Sequence, residues 1–221
     1  EPYSVAFTDC GDLLTLVSEK NNKLHLFSEE GQFIKHINAK HLEEPQHLSI
    51  ANDGRLIITD EASNEVKVLS PDGNDRLVSM FAPNCSKHPK CAVFHQNKFY
   101  VSYPRDHCIK VFDKTGVYLH DIGCKGSSDG QVDYPVGLVS DKCNRLIVCD
   151  ANNRRLQLFT LGGKFLSKLE GDWFNDSPLR AAINLSSDTL IVSSFEGSDI
   201  YVFHQSSLKE SKEITRRIPQ E

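Results

Sequence analysis

Short stretches in which apolar and polar residues alternate recur along the whole chain, separated by turns rich in Gly, Asn, Asp and Ser. Strict alternation over five residues is typical of a β-strand, whose successive side chains point to opposite faces of a sheet. Five such stretches align without gaps, each with apolar second and fourth residues: KLHLF at 23–27, EVKVL at 65–69, CIKVF at 108–112, RLQLF at 155–159 and DIYVF at 199–203. The pattern predicts five equivalent strands.

A proline recurs at nearly even intervals ahead of these strands and marks the start of each repeat. Pro2, Pro45, Pro89, Pro135 and Pro178 are separated by 43, 44, 46 and 43 residues. Each interval also contains a denser aliphatic run: LLTLV at 13–17, RLIIT at 55–59, KFYVS at 98–102, RLIVC at 145–149 and TLIVS at 189–193. With the turns between them, these segments predict four short strands per repeat.

A four-stranded unit cannot bury both faces of its sheet alone, so the repeats must stack. Radial stacking protects the sheet edges, and all-strand repeats of this length have few other solutions. The predicted fold class is an all-β β-propeller of four-stranded antiparallel blades, with residues 1–221 forming a single domain. Five repeats are visible, and five or six blades are open: the ring closes with five, a sixth lies outside this sequence, or segments 1–7 and 209–218 complete a degenerate one.

The fourth repeat, residues 134–166, carries a longer motif. A proline-x-glycine opening leads through an apolar strand ending in Asp150 to an asparagine-x-arginine triplet ending at Arg155, and a glycine-lysine-phenylalanine turn follows the next strand. This arrangement resembles an NHL repeat. The other repeats keep the frame with losses, having Glu19, Asp60, Tyr103 and Ser194 at the aspartate position and Lys23, Glu65, Cys108 and Asp199 at the arginine position.

The resemblance implies a function as well as a fold. NHL propellers form the C-terminal domain of tripartite-motif (TRIM-NHL) ubiquitin ligases. By this resemblance the chain is expected to be a non-catalytic recognition module of a larger cytoplasmic protein, whose RING domain lies elsewhere. Binding of a protein partner through the loop rim is the favoured function, and RNA binding is the alternative.

Charge and composition narrow the partner classes. The formal net charge of −5 gives no overall attraction to nucleic acid or anionic lipid, and DNA is not expected as a partner. No apolar run approaches the roughly 18 residues of a membrane span, so no membrane association is expected. Seven cysteines, an odd number without a C-x-x-C pair, favour reduced thiols and a cytoplasmic location.

Basic residues concentrate in the predicted loops of the third and fourth repeats. Phosphate contacts from such a cluster, with a tyrosine offering a stacking face, are what single-stranded or hairpin RNA requires. The candidates for RNA or another anionic partner are Lys87, Lys90, Tyr103, Arg105, His107, Lys125, Tyr134, Arg154 and Arg155. Solvated mixed charge is the alternative, with Arg155 packed between blades.

An acidic and aromatic sector is predicted on other loops of the rim. Trp173 is the sole tryptophan, and it lies beside Phe174 in the predicted inter-blade loop GDWFNDSP. Because buried aromatic anchors dominate many protein interfaces, we predict a protein-interaction site at Trp173, Phe174 and Phe195. Filling the gap between adjacent blades is the other role open to Trp173.

No catalytic motif stands out in the sequence. The patterns H-x-x-H and H-E-x-x-H are absent. We therefore expect no cofactor, no metal site and no enzymatic activity in this domain, with a metal-dependent propeller hydrolase or lyase as the remaining alternative. Asp60, Asp150 and Glu19 lie at equivalent repeat positions and are expected to accept hydrogen bonds from neighbouring backbone amides.

Overall fold

The computed structural model describes residues 2–8, 10–17, 23–70, 76–82, 86–171, 176–184, 189–194, 199–204 and 216–218. These residues form twenty β-strands in five four-stranded sheets, with one short 3-10 turn at Pro104–Asp106. Within each sheet the hydrogen-bonded neighbours follow chain order. The predicted fold class, an all-β propeller of four-stranded antiparallel blades, is confirmed, and the described residues supply five blades.

The strands follow the repeats. The first sheet contains β1 Pro2–Phe7, β2 Leu13–Val17, β3 Lys23–Phe27 and β4 Phe33–Asn38, and the second contains β5 Pro45–Ile50, β6 Leu56–Asp60, β7 Glu65–Leu69 and β8 Leu77–Phe81. The third contains β9 Cys91–His95, β10 Lys98–Tyr103, β11 Cys108–Asp113 and β12 Tyr118–Ile122. The fourth contains β13 Pro135–Ser140, β14 Arg145–Asp150, β15 Arg155–Thr160 and β16 Phe165–Leu169, and the fifth contains β17 Pro178–Asn184, β18 Thr189–Ser194, β19 Ile200–His204 and β20 Arg216–Ile218.

The chain divides into two compact units. The first comprises Glu1–Val101 and Val111–His120, and the second comprises Ser102–Lys110 and Asp121–Glu221. Each unit has its own apolar core. The interpretation of the chain as a single domain stays a prediction.

In the first unit, the first two sheets share a core that includes Leu16, Leu24 and Ile58. The Ser4 hydroxyl accepts the Leu48 N–H at 3.1 Å, which joins β1 to β5. Val5 pairs with β2 as Leu48 pairs with β6, yet Leu48 is 2% exposed and Val5 is 56% exposed. The face of the second sheet that carries Leu48 is therefore buried, whereas the equivalent face of the first sheet, which carries Val5, is exposed.

In the second unit, the fourth and fifth sheets share a core that includes Ile147, Leu158 and Val192. The buried Ser102 hydroxyl donates to the carbonyl of Val136 at 2.7 Å, which ties the end of β10 to β13. Because a buried hydroxyl costs free energy unless it is bonded, this contact also fixes how the two strands approach each other.

The C-terminal segment supplies a strand of the fifth sheet. Residues Arg216–Ile218 pair antiparallel with β19. Pro2–Phe7 belongs to the first sheet, where it pairs with β2. The two segments lie in different sheets, so the interpretation that they jointly build a degenerate sixth blade is wrong.

Two further features concern the helices and the cysteines of the described residues. No described helix is long and apolar enough to cross a membrane. The six cysteines within the described ranges are all free thiols, namely Cys10, Cys91, Cys108, Cys124, Cys143 and Cys149.

Candidate functional site

A buried aspartate at the end of β14 organises the second unit. The Asp150 carboxylate accepts the backbone N–H of Asp133 at 2.7 Å and the Nε–H of Arg155 at 2.7 Å. It also accepts hydrogen bonds from the side-chain amides of Asn153 and Gln157, both at 2.9 Å. The buried charge is thus paired and fully hydrogen-bonded. The expectation that Asp150 caps a neighbouring backbone amide is confirmed.

Arg155 and Gln157 extend this network into the loop between β12 and β13. The Nη2 of Arg155 donates to the carbonyls of Ser128 and Gln131 at 3.0 and 2.9 Å. Gln157 accepts the N–H of Gly130 at 3.0 Å through its side-chain oxygen. Charge-assisted bonds from buried side chains fix the course of this loop.

The first unit uses the same arrangement with different residues. Asp60 is buried at the end of β6, where it accepts the backbone N–H groups of Glu43 and Glu44 at 2.8 and 2.9 Å and pairs with Lys67 Nζ at 2.8 Å. Burial alone would raise the pKa of Asp60, but the hydrogen bonds from Lys67 and the two amides outweigh it, so the pKa lies below its usual value. Asp60 therefore also caps backbone amides, as expected.

The first repeat departs from the sequence alignment. Val17 pairs with Pro2, just as Asp60 pairs with Pro45 and Asp150 with Pro135. Val17, and not Glu19, therefore occupies the position of the aspartate. Glu19 itself lies outside the described residues.

Two backbone positions next to these anchors adopt an unusual conformation in each unit. His107 and Tyr134 have φ values of 52° and 57°, and the Tyr134 N–H donates to Nδ1 of His107 at 3.2 Å. Asn64 and His88 have φ values of 60° and 62°, and the His88 N–H donates to Oδ1 of Asn64 at 2.9 Å. Positive φ is rare outside glycine. The two pairs are therefore equivalent clamps built from different side chains.

The clamp in the second unit presents an aromatic ring to solvent. Tyr134 is 37% exposed, and its backbone is held by His107 on one side and by Asp133, bonded to Asp150, on the other. The neighbouring turns contribute exposed cations. We name Arg105, Lys125, Tyr134 and Arg154 the Tyr134 surface.

Acidic side chains accompany these cations. Asp133 is 3.1 Å from His107 and also accepts the side-chain N–H of Asn152 at 2.8 Å. Asp129 pairs with Lys168 at 3.1 Å. Neither Lys125 nor Arg154 forms an ion pair within the described part of the chain. The surface therefore mixes both signs of charge and keeps two cations available.

Two of the predicted RNA-binding residues are buried, which corrects the sequence-based set. Tyr103 has no exposed surface and Arg155 is 2% exposed, because they belong to strands β10 and β15 and not to the exposed loops. The burial of Arg155 favours the structural alternative for this residue. Tyr103 therefore offers no stacking face, and the charge of Arg155 is neutralised by Asp150 at 2.7 Å.

In the first unit, Lys87 is exposed but Lys90 is engaged. The Nζ of Lys90 lies 2.9 Å from Glu61 and 3.0 Å from the side-chain oxygen of Gln46. His88 also contacts Glu61, at 3.1 Å. Burial favours a raised pKa for Glu61, yet the bonds from Lys90 and His88 hold it below its usual value. Lys90 therefore binds side chains of the protein itself and is less available to contact a phosphate.

In the third repeat, Tyr103 and Cys108 stand where the fourth repeat has Asp150 and Arg155, and neither is an activated nucleophile. Burial raises the pKa of the Cys108 thiol to about 12, against the opposing charge of Lys110. Burial likewise raises the pKa of the Tyr103 hydroxyl. Both groups are therefore protonated at neutral pH. Among the described residues, no group of three or more His, Cys, Asp and Glu side chains is placed to hold a metal ion.

Trp173, Phe174 and Phe195, the predicted protein-interface residues, lie outside the described residues. Sequence reasoning missed Asp133, Asn152 and the clamp geometry. A signal was present, since Asn64, His107 and Arg154 all directly precede a third strand, and asparagine and histidine are enriched at positive φ. His88 and Tyr134 each precede a proline of the repeat.

A family model described as SdiA-regulated matches residues 3–82. This segment corresponds to the first two sheets. The match therefore describes part of the propeller and not the whole chain.

Solved structures match over nearly the full chain. A chain from a nidogen/laminin complex matches with a TM-score of 0.80 and 14% identity, covering 99% of this chain and 80% of that one. Virginiamycin B lyase from Staphylococcus aureus matches with a TM-score of 0.69 and 19% identity, covering 99% of this chain and 69% of that one. A streptogramin B lyase matches with a TM-score of 0.64 and 14% identity, covering 92% and 76%. At these identities the likeness concerns the fold alone.

These matches correct the prediction that the domain is not an enzyme. That prediction was inferred from absent motifs and from a binding role, yet two lyases share this fold. The fold is compatible with catalysis as well as with binding, although the likeness does not show that this chain is catalytic. None of the three structures is described as a tripartite-motif protein.

Proposed function

We propose that this chain is a recognition module that binds a protein partner through the Tyr134 surface. The observation that carries the proposal is an exposed tyrosine held at positive φ by hydrogen bonds on both sides. A strained backbone persists only where the surrounding structure imposes it, and such positions cluster at functional sites. A rigid tyrosine beside arginine is also the composition of interface hot spots.

The charges support a protein partner more than RNA. Of the nine cationic-sector candidates, Tyr103 and Arg155 are buried, and Lys90 is paired with Glu61. Asp133 and Asp129 lie in the same loop as Tyr134 and would oppose a phosphate backbone. Lys125 and Arg154 instead suit one or two carboxylates on a partner segment that also places an apolar group on Tyr134.

The proposed context is a cytoplasmic parent protein of the tripartite-motif type. The likeness of the fourth repeat to an NHL repeat supports it, through Asp150 and Arg155, which the structure joins at 2.7 Å. In such a parent, this chain would select the protein that another domain modifies.

A capture experiment tests the proposal. Tyr134→Asn removes the ring but keeps a residue that adopts positive φ readily. It is expected to weaken binding of the captured partner by about 30-fold or more, because truncating a hot-spot side chain costs about 2 kcal/mol or more of binding free energy. Lys114→Glu, at an exposed position in the β11–β12 turn, is the control and should leave capture unchanged.

Two outcomes would contradict the proposal. Equal capture by wild type and Tyr134→Asn would remove the Tyr134 surface from the interaction. Loss of capture after ribonuclease treatment, together with a steep decrease in affinity with salt, would favour the RNA alternative.

A further inference from the structure

The imidazole of His107 lies between two groups that require opposite protonation states. Its Nδ1 is 3.2 Å from the backbone nitrogen of Tyr134, which only donates, and 3.1 Å from Oδ1 of Asp133, which accepts. An unprotonated Nδ1 accepts the amide N–H, whereas a protonated Nδ1 donates to the carboxylate. Because Nδ1 carries either a lone pair or a proton, it can form only one of these two hydrogen bonds at a time.

Both competing groups are fixed by other contacts. Asp133 Oδ1 accepts the side-chain N–H of Asn152 at 2.8 Å, and the carbonyl of Asp133 accepts the backbone N–H of Asn152 at 3.1 Å. Tyr134 is confined by the proline that follows it and by its φ of 57°. The proton on His107 therefore decides which of the two bonds forms.

Other charged groups lie on the neighbouring turns, but the carboxylates among them are paired with cations other than His107. On the turn of His107 itself, Asp106 is 3.8 Å from Lys110 Nζ, and Arg105 is exposed. On the turn that carries Asn152, Asp150 is neutralised by Arg155, and Arg154 is exposed. Within the described residues, Asp133 is the carboxylate within ion-pair distance of the imidazole.

We propose that His107 is a proton-operated switch of the Tyr134 surface. Protonation moves Nδ1 from the Tyr134 amide to the Asp133 carboxylate, and Tyr134 loses one of the contacts that hold its backbone at positive φ. Histidine is the side chain that ordinarily changes charge between about pH 5 and 8. The consequence for binding rests on the proposed function, whereas the change in hydrogen bonding does not.

The first unit contains the same clamp without this sensitivity in its acceptor. Asn64 occupies the position of His107 and accepts the backbone N–H of His88 through its side-chain amide oxygen, which does not titrate. His107→Asn therefore copies an arrangement that the protein already uses. It is expected to keep the Tyr134 clamp and to remove its dependence on pH.

Nuclear magnetic resonance of the whole chain tests the switch without any partner. In wild type, the Tyr134 amide resonance should move between about pH 8 and pH 5 with the same midpoint as the His107 imidazole. In His107→Asn, the Tyr134 resonance should stay constant over that range. If the imidazole titrates while the Tyr134 resonance is unmoved, or if both proteins respond alike, the proposal is overturned.

Binding of the captured partner gives the second readout. From about pH 7.5 to pH 5.5, wild-type affinity should decrease about three- to tenfold, the effect of losing one hydrogen bond, whereas His107→Asn should change less than about twofold. An equal decrease in both proteins would overturn the link to His107. If the resonances behave as expected but Tyr134→Asn still captures the partner, the proposed function fails and the switch stands.

Discussion

Two glycines of the fourth repeat differ in what surrounds them. A Cβ on Gly137, in β13, would lie 2.7 Å from the carbonyl oxygen of Leu179 and 2.9 Å from Sγ of Cys149. A Cβ on Gly162, in the turn before β16, would have no atom closer than Thr160 Oγ1 at 3.8 Å. The glycine at Gly137 is therefore needed for close approach of β17, which is the physical content of the proline-x-glycine motif.

Alanine substitutions measure this difference. Gly137→Ala should lower the free energy of unfolding by about 1–3 kcal/mol, because the added carbon forces a backbone or the buried thiol to move. Gly162→Ala should change it by less than about 0.5 kcal/mol. Denaturant unfolding of both variants is the measurement, and equal effects would mean that β13 and β17 do not pack as closely as described.

The partners that bury a charged residue are what the sequence could not predict at this scale. Arg155 lies in the polar phase of an alternating strand, so an exposed cation and a residue packed between blades were both open. It is buried because Asp150, five positions earlier, supplies its counter-charge and because carbonyls of a distant loop accept its N–H groups. Such partners depend on the fold and not on the local pattern.

At the scale of elements, periodicity predicted the strands closely. The ranges of β3 and β7 match the sequence prediction to the residue. The fifth repeat begins its third strand at Ile200 and not at Asp199, because the Asp199 N–H donates to the side-chain hydroxyl of Ser194 at 3.1 Å. Glu19 was misaligned because the segment between the paired strands β2 and β3 is longer than its counterpart before β7.

Asp60 anchors the loop between β4 and β5, and this role predicts that the free energy of unfolding depends on pH in the acid range. Because the pKa of Asp60 is lowered in the folded state, its contribution to stability is present above about pH 4 and is lost as pH falls through the lower folded value. Asp60→Asn should lower the free energy of unfolding at pH 7 by about 1–3 kcal/mol and should flatten its dependence on pH below about 4.

Asp53→Asn is the matched control for this prediction. Asp53 pairs with Arg55 at 2.8 Å, but its side chain is 53% exposed. Exposed pairs contribute little, so the change should stay below about 1 kcal/mol. Urea unfolding from pH 2 to pH 7 compares the two variants, and similar profiles would contradict the role given to Asp60.

At the scale of the whole molecule, the repeat predicted the architecture but not the surface. Even spacing of prolines and alternating strands was sufficient for an all-β propeller, because stacking is required of any such repeat. The Tyr134 surface was predicted only in part. His107 and Tyr134 were chosen for charge and stacking, whereas the structure joins them through the backbone at 3.2 Å.

The comparisons explain why function does not follow from the architecture. The same fold is present in a nidogen/laminin complex and in two lyases. What distinguishes one propeller from another is therefore the side chains on its loops. In this chain the described loops carry Tyr134, held at positive φ, and two exposed cations, Lys125 and Arg154.

Hydrogen–deuterium exchange of the chain with and without its captured protein partner tests this account most directly. Binding through the Tyr134 surface predicts the largest added protection at 104–107, 125–134 and 151–154, with no change in the β11–β12 turn at 114–117. Largest protection in segments remote from Tyr134, with those three segments unchanged, would contradict it.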